Sequence, residues 1–194
     1  LAALFGGMAI ASIFAFLTQY LLTNQVATGL ALTLFGLGFS AFVGKGYTEE
    51  SIQLIPAVDI LFLSDIPLIG PLLFSFNPLV YLAFFMVYVV WHFLFKTKQG
   101  LILRAIGDNH DAAHAIGHKV VLYRFMAILF GGAMAGLGGA FLTLVQVPIW
   151  GEGMTAGRGW IALGLVVFAS WLPFRVILGA ILFGGITILQ LHAQ

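Results

Sequence analysis

Apolar residues along this chain come in long unbroken runs rather than in alternation. Six runs stand out, at roughly 1–22, 27–44, 77–95, 120–148, 160–172 and 176–191. A bilayer core is crossed by about 20 apolar residues of helix, and most of the runs approach that length. Strands of a membrane barrel would alternate apolar and polar positions, and these runs do not. The pattern predicts an all-α fold, a polytopic membrane helical bundle. Two stretches interrupt it. Residues 45–76 are apolar but broken, with four of the six prolines (Pro56, Pro67, Pro71, Pro78) in or beside them. Proline removes a helical hydrogen bond and clashes with the preceding turn, so short interfacial or re-entrant pieces are expected there. The run 160–172 has thirteen residues, which rise only about 20 Å as helix against about 30 Å of hydrocarbon. It is preceded by "GEGMTAGRG" (151–159) and closed by Pro173. Both a discontinuous membrane helix and an ordinary loop with a tilted helix fit that pattern.

Charge orients the bundle. Lys96, Lys98, Arg104, Lys119 and Arg124, five of the eight basic residues, flank 96–124. The positive-inside rule puts that loop in the cytoplasm. The 45–76 loop then falls outside, where Glu49, Glu50, Asp59 and Asp65 face Lys45 alone. Residues 149–159 also fall outside, and Arg175 falls inside.

Composition agrees with the pattern: 61% of the 194 residues are hydrophobic and 8% charged, too little polar surface to cover a soluble core. A net charge of +1 leaves no basic patch for nucleic acid. The absence of cysteine excludes disulfides, thiolate ligands and a cysteine nucleophile. The chain opens inside one apolar run and ends just after another, so a piece of a longer protein, partial at both ends, is expected.

Against this background "GDNHDAAHAIGHK" (107–119) is a polar island. His110, His114 and His118 recur every four residues, and "HDAAH" has the two-histidine spacing of a zinc helix. The acidic residue is the wrong one, however: Asp111 follows the first histidine, where a metalloprotease would carry a glutamate base. Gly117 weakens a helix before His118. No metal site is expected. A short solvated helix, capped by Asp108 or Asn109, fits better, with Ala112, Ala113, Ala115 and Ile116 as a small apolar face. "GKGY" (44–47) lacks the rest of a phosphate-binding loop, so ATP is not bound by that motif. No line of carboxylates crosses the apolar runs, which argues against a proton-driven transporter or ion pump. Residues 131–140, "GGAMAGLGGA", carry two small-residue stripes, Gly132/Gly136/Ala140 and Gly131/Ala135/Gly139. Small residues at this spacing let helices approach closely in lipid, so Gly132, Gly136 and Gly139 are packing candidates.

Four stretches, "NQVATGLALTLFGLGFSAFVGKGY" (24–47), "GLILRAIGDNHDAAHAIGHKV" (100–120), "FGGAMAGLGGAFLTL" (130–144) and "MTAGRGWIALGLVVFASWLPFRVILGAILFGG" (154–185), resemble the permease subunits of bacterial ABC importers. The resemblance is to the branched-chain amino acid and simple-sugar permease superfamily, in its nucleoside branch, and it covers nearly the whole chain as one permease domain. It implies that 97–119 is a cytoplasmic coupling loop, with Gly107, Asp108, Asn109, His110, Ala112, Ala113 and Gly117 meeting an ATP-binding subunit. His110 stands where the family more often has proline. The resemblance also implies alternating access, a second permease subunit, identical or homologous, and an external solute-binding protein. ATP and magnesium would bind the partner subunit and no cofactor this chain, which would sit in the bacterial inner membrane. Asn24, Gln25, Thr28, Glu152, Thr155, Arg158 and Trp160 are candidates for the solute path, with a helix N-terminus after Gly159 presenting its dipole. Two other classes compete: a structural or assembly subunit of a membrane complex, and a secondary transporter.

Overall fold

The computed structural model describes residues 1–48, 76–155 and 157–193. The short pieces expected in 45–76 lie outside the described residues, apart from residues 45–48 and Phe76. The described residues are mostly helical and contain no strand. In chain order the helices are α1 (Ala2–Gln19), α2 (Gln25–Gly44), α3 (Pro78–Lys96), α4 (Lys98–Asp108), α5 (His110–Ala115), α6 (Val120–Phe141), α7 (Arg158–Phe168) and α8 (Pro173–His192). A 3-10 turn (Lys45–Tyr47) extends α2 and a π turn (Leu142–Gln146) extends α6. Five of these, α1, α2, α3, α6 with its π turn, and α8, are long and apolar enough to cross a membrane. The chain is a multi-pass integral membrane protein, and its large side chains follow the rule for lipid as solvent. Leu30, Leu34, Phe42, Leu178, Ile181 and Leu189 all stand exposed on the protein surface.

The helices are bounded by local chemistry. Asn24 leaves the helical region and its side chain accepts from the backbone N–H groups of Val26 and Ala27, at 3.0 and 3.1 Å, which starts α2. Asn77 does the same for α3 through Leu79, with Pro78 at the first helical position, where its missing N–H costs nothing. Thr97 hinges α3 onto α4. Its hydroxyl donates to the Phe93 carbonyl at 2.6 Å and accepts from the Gly100 N–H at 3.1 Å. Gly100 lies against the Phe93 carbonyl so closely that no Cβ fits.

Two compact units form. The first holds residues 1–56 and 102–155 and the second 57–101 and 156–194. In the first, α1 crosses α6 antiparallel: Ala3 meets Gly136, Gly7 meets Gly132, and Tyr20 meets Phe125 edge-on at 6.3 Å. Ala15, Thr18 and Ala133 are buried. A Cβ on Gly132 would collide with the Gly7 carbonyl and the Ala11 side chain, and one on Gly136 with the Ala3 carbonyl. One on Gly139 would meet nothing within 4 Å among the described residues, so of the two stripes only Gly132/Gly136 carries this crossing. The tight 20–24 turn makes α2 antiparallel to α1.

In the second unit α3 and α8 run antiparallel, with Trp91 and Phe174 5.3 Å apart between ring centroids, and Gly179 packs on Leu165 and Phe168 to pair α7 with α8. Helix α7 has eleven residues, about 16 Å of rise, and cannot span alone. It closes with the Ser170 N–H on the Val167 carbonyl and the Trp171 N–H on the Val166 carbonyl. Ser170 and Trp171 both have left-handed backbones, φ 52° and 62°, which side chains other than glycine adopt at a cost of about 1–2 kcal/mol each.

Within the 97–119 stretch, residues 98–108 form a helix. The structure corrects one element expectation: the short helix begins at Arg158, after Gly157 with φ 76°, rather than beyond Gly159.

Candidate functional site

The polar island occupies the corner between α4 and α6, within the first unit from Ile102 onward. Helix α4 ends at Asp108. Asn109 turns the chain with an extended backbone, φ −150° and ψ 102°, and its side chain accepts the Ala112 N–H at 3.0 Å. Of the two capping candidates the cap is therefore Asn109, while Asp108 closes α4. Gly107 is a helical residue of α4. Helix α5 then runs six residues and stops at a complete left-handed closure. The Gly117 N–H bonds the His114 carbonyl at 2.9 Å, the His118 N–H bonds the Ala113 carbonyl at 3.1 Å, and Gly117 has φ 89°. Glycine is needed there because a Cβ disfavours that backbone.

The closure ends the helix before His118, so the three histidines do not stack along one continuous helix. His110 and Asp111, both largely exposed, approach to 3.2 Å. Among the described residues no group of three or more His, Cys, Asp or Glu side chains comes together as a metal site.

The apolar face expected on α5 splits in two. Ala113 is 3% exposed and packs with Ile106 and Val120, backed by Ile102 and Tyr123. It fastens α5 onto α4 and α6 and presents nothing outward. Ala112, Ala115 and Ile116 point away, with Ile116 72% exposed. The outward surface is thus a small apolar patch rimmed by His110, Asp111 and His114.

The remaining candidates separate. Asn24 is committed as a helix cap. Thr28 Oγ1 lies 2.9 Å from Thr23 Oγ1, and Thr23 Oγ1 donates to the Leu17 carbonyl at 3.0 Å, so both threonines fasten the 20–24 turn. Gln25 lines a cavity of about 350 Å³ with Gln19, Gly107 and Arg124. These residues share one end of the first unit with α5. Glu152 and Thr155 lie at the opposite end, beyond the π turn, where Trp150 covers Gly44. Arg158 and Trp160 open α7 in the second unit, and Trp160 is 75% exposed. The basic residues divide in the same way. In the first unit Arg104, Lys119 and Arg124 share the α5 end and Lys45 lies at the other. In the second, Lys96 sits over the Trp91 ring at 5.7 Å, with Lys98 and Arg175 at that end and Arg158 at the far one.

Residues 1–193 match the family described as the permease component of the branched-chain amino acid transport system. The chain belongs to this family. Among its relatives is a protein of Haloferax volcanii named as a putative glucose ABC transporter permease, 43% identical over 97% of this chain and 58% of the relative. A nucleoside ABC transporter permease of Lactococcus lactis is 32% identical over 96% of this chain and 62% of the relative. A guanosine ABC transporter permease of Bacillus subtilis is 32% identical over 84% of this chain and 52% of the relative. The chain thus spans little more than half the length of these permease relatives. No solved structure matches it.

Proposed function

We propose that this chain belongs to the membrane-spanning subunit of an ATP-driven importer for nucleosides or simple sugars. The solute would cross by alternating access between two permease subunits. A binding protein would deliver it from outside, and separate subunits would bind ATP and magnesium. On this reading the chain has no catalytic site and no cofactor of its own. The names of its permease relatives support the solute class. The observation that carries the coupling role is α5 itself. It is too short to be stable alone, yet it is capped at both ends and anchored by Ala113, which leaves Ala112, Ala115 and Ile116 facing outward. A rigid, small-featured protrusion can enter a groove closely, because alanine loses almost no side-chain entropy on burial. Asp108, Asn109, His110 and Gly117 shape and rim that protrusion. Glu152 and Thr155 in the first unit, and Arg158 and Trp160 in the second, are each candidates for contact with the solute.

The experiment is uptake by the full-length permease, reconstituted in proteoliposomes with its ATP-binding subunit and binding protein. Labelled guanosine or glucose should accumulate only with ATP. Accumulation driven by a proton or sodium gradient without ATP would make the chain a secondary transporter.

The division of basic residues in each unit supports placing residues 97–119 in the cytoplasm of a prokaryotic plasma membrane. The chain has no cysteine, so single introduced cysteines report without background. In intact spheroplasts an impermeant maleimide should label Glu152→Cys and leave Asp111→Cys unmodified until the membrane is opened. The reverse pattern would invert the topology and remove the coupling role.

A further inference from the structure

The cavity beside Gln25 has a feature that coupling and transport leave unused. Arg124 is the fifth residue of α6, about 6 Å along the axis from the helix start, which is the depth of a membrane's polar boundary. It is half-buried, and among the described residues its guanidinium makes no hydrogen bond or ion pair. A guanidinium in that position is expensive without a partner and marks a site. Two carboxamides, Gln19 and Gln25, share its cavity. Gln19 is half-buried with its amide 3.3 Å from Thr18 Oγ1, which leaves its carbonyl oxygen and second N–H for other partners. Leu103, Ala127 and Ile128 also line it, with the buried Ile106 behind them. The lining is therefore amphipathic, combining a cationic fork and amide donors with branched aliphatic side chains.

We infer that this cavity binds a phosphate group, supplied by the head group of an anionic phospholipid whose first acyl carbons lie against Leu103 and Ile128. The guanidinium fork matches two phosphate oxygens at once, and the glutamine amides supply further donors. An aqueous phosphate ion would engage the polar groups and leave the aliphatic lining uncovered, which is why the lipid is the better occupant. The site rests on the depth and chemistry of Arg124 and stands whether or not the chain transports nucleosides.

The test uses the full-length permease complex, stripped of lipid in detergent and examined by native mass spectrometry. The probes are phosphatidylglycerol, phosphatidylcholine and inorganic phosphate. The expected result is retention of phosphatidylglycerol over phosphatidylcholine, reduced about tenfold or more in Arg124→Gln and largely kept in Arg124→Lys. Gln25→Leu, a change at an exposed position, should weaken retention without lowering the melting temperature, and it carries the test if Arg124→Gln fails to fold. Competition by millimolar inorganic phosphate, with no preference between the lipids, would assign the site to the free ion. Undiminished phosphatidylglycerol retention in both Arg124→Gln and Gln25→Leu would overturn the inference. So would a crosslink from Arg124→Cys to the ATP-binding subunit, because a protein side chain would then occupy the cavity.

Discussion

Replacing Gly132 with leucine is expected to cost the permease its folded first unit. The α1–α6 crossing brings backbone against backbone at Gly7 and Gly132, and even a Cβ at position 132 overlaps the Gly7 carbonyl and the Ala11 side chain. The obstacle is main chain, which cannot swing aside as a flexible side chain would, so the helices must separate. In lipid there is little hydrophobic force to hold separated helices together, and close packing supplies most of the association. Overpacking a well-packed contact costs about 1–3 kcal/mol, and a backbone obstacle puts this change at the top of that range or above it. Membrane levels of full-length Gly132→Leu should fall several-fold, with a melting temperature well below that of the parent. Gly139→Leu, on the neighbouring stripe, should leave the α1–α6 crossing intact and reduce stability far less. Equal losses from the two substitutions would mean that the crossing does not use the Gly132/Gly136 stripe.

The second large effect concerns α5, where neighbouring alanines should fail in different ways. Ala113 is enclosed by Ile106 and Val120, so Ala113→Trp should dislodge α5 from α4 and α6 and lower the melting temperature. Ala112 and Ile116 are exposed and make no part of that cluster. Ala112→Trp and Ile116→Asp should keep parental membrane levels and melting temperature. Each should reduce ATP-driven uptake about tenfold or more, the consequence of losing roughly 1.4 kcal/mol of docking free energy. ATP hydrolysis by the partner should then cease to respond to the loaded binding protein. Normal uptake in both outward variants would make α5 a structural corner only.

The spans were legible in the sequence because lipid imposes a simple demand. A crossing helix needs a long apolar run, and 1–22, 27–44, 77–95, 120–148 and 176–191 each overlap one of the five observed long helices. The half-length of α7 was legible too, from its short run and the Gly-rich entry. Helix α4 was not, because it buries only a few residues such as Ile102 and Ile106 and its eleven residues look like a charged loop. Thr97 as a capping residue before "LILRAI" was the available signal. The sequence could not choose between the two glycine stripes, since both have the same spacing and only the position of α1 separates them. Nor could it tell Ala112 from Ala113. A six-residue helix has no periodicity to read, and its inward side is set by Ile106 and Val120 on its neighbours. For the same reason Asn24 and Thr28 looked available as path residues, although local backbone and hydroxyl contacts already engage them.

The central claim is that the outward face of α5 meets an ATP-binding subunit. The most direct measurement is site-directed crosslinking in the assembled full-length complex, with single cysteines at Ala112, Ala113 and Ile116 and a short bifunctional thiol reagent. Cysteines at 112 and 116 should join the permease to the ATP-binding subunit, with ATP altering the yield, while a cysteine at 113 should not react. A crosslink from 113 alone, or none to any ATP-binding subunit from 112 and 116, would contradict the account.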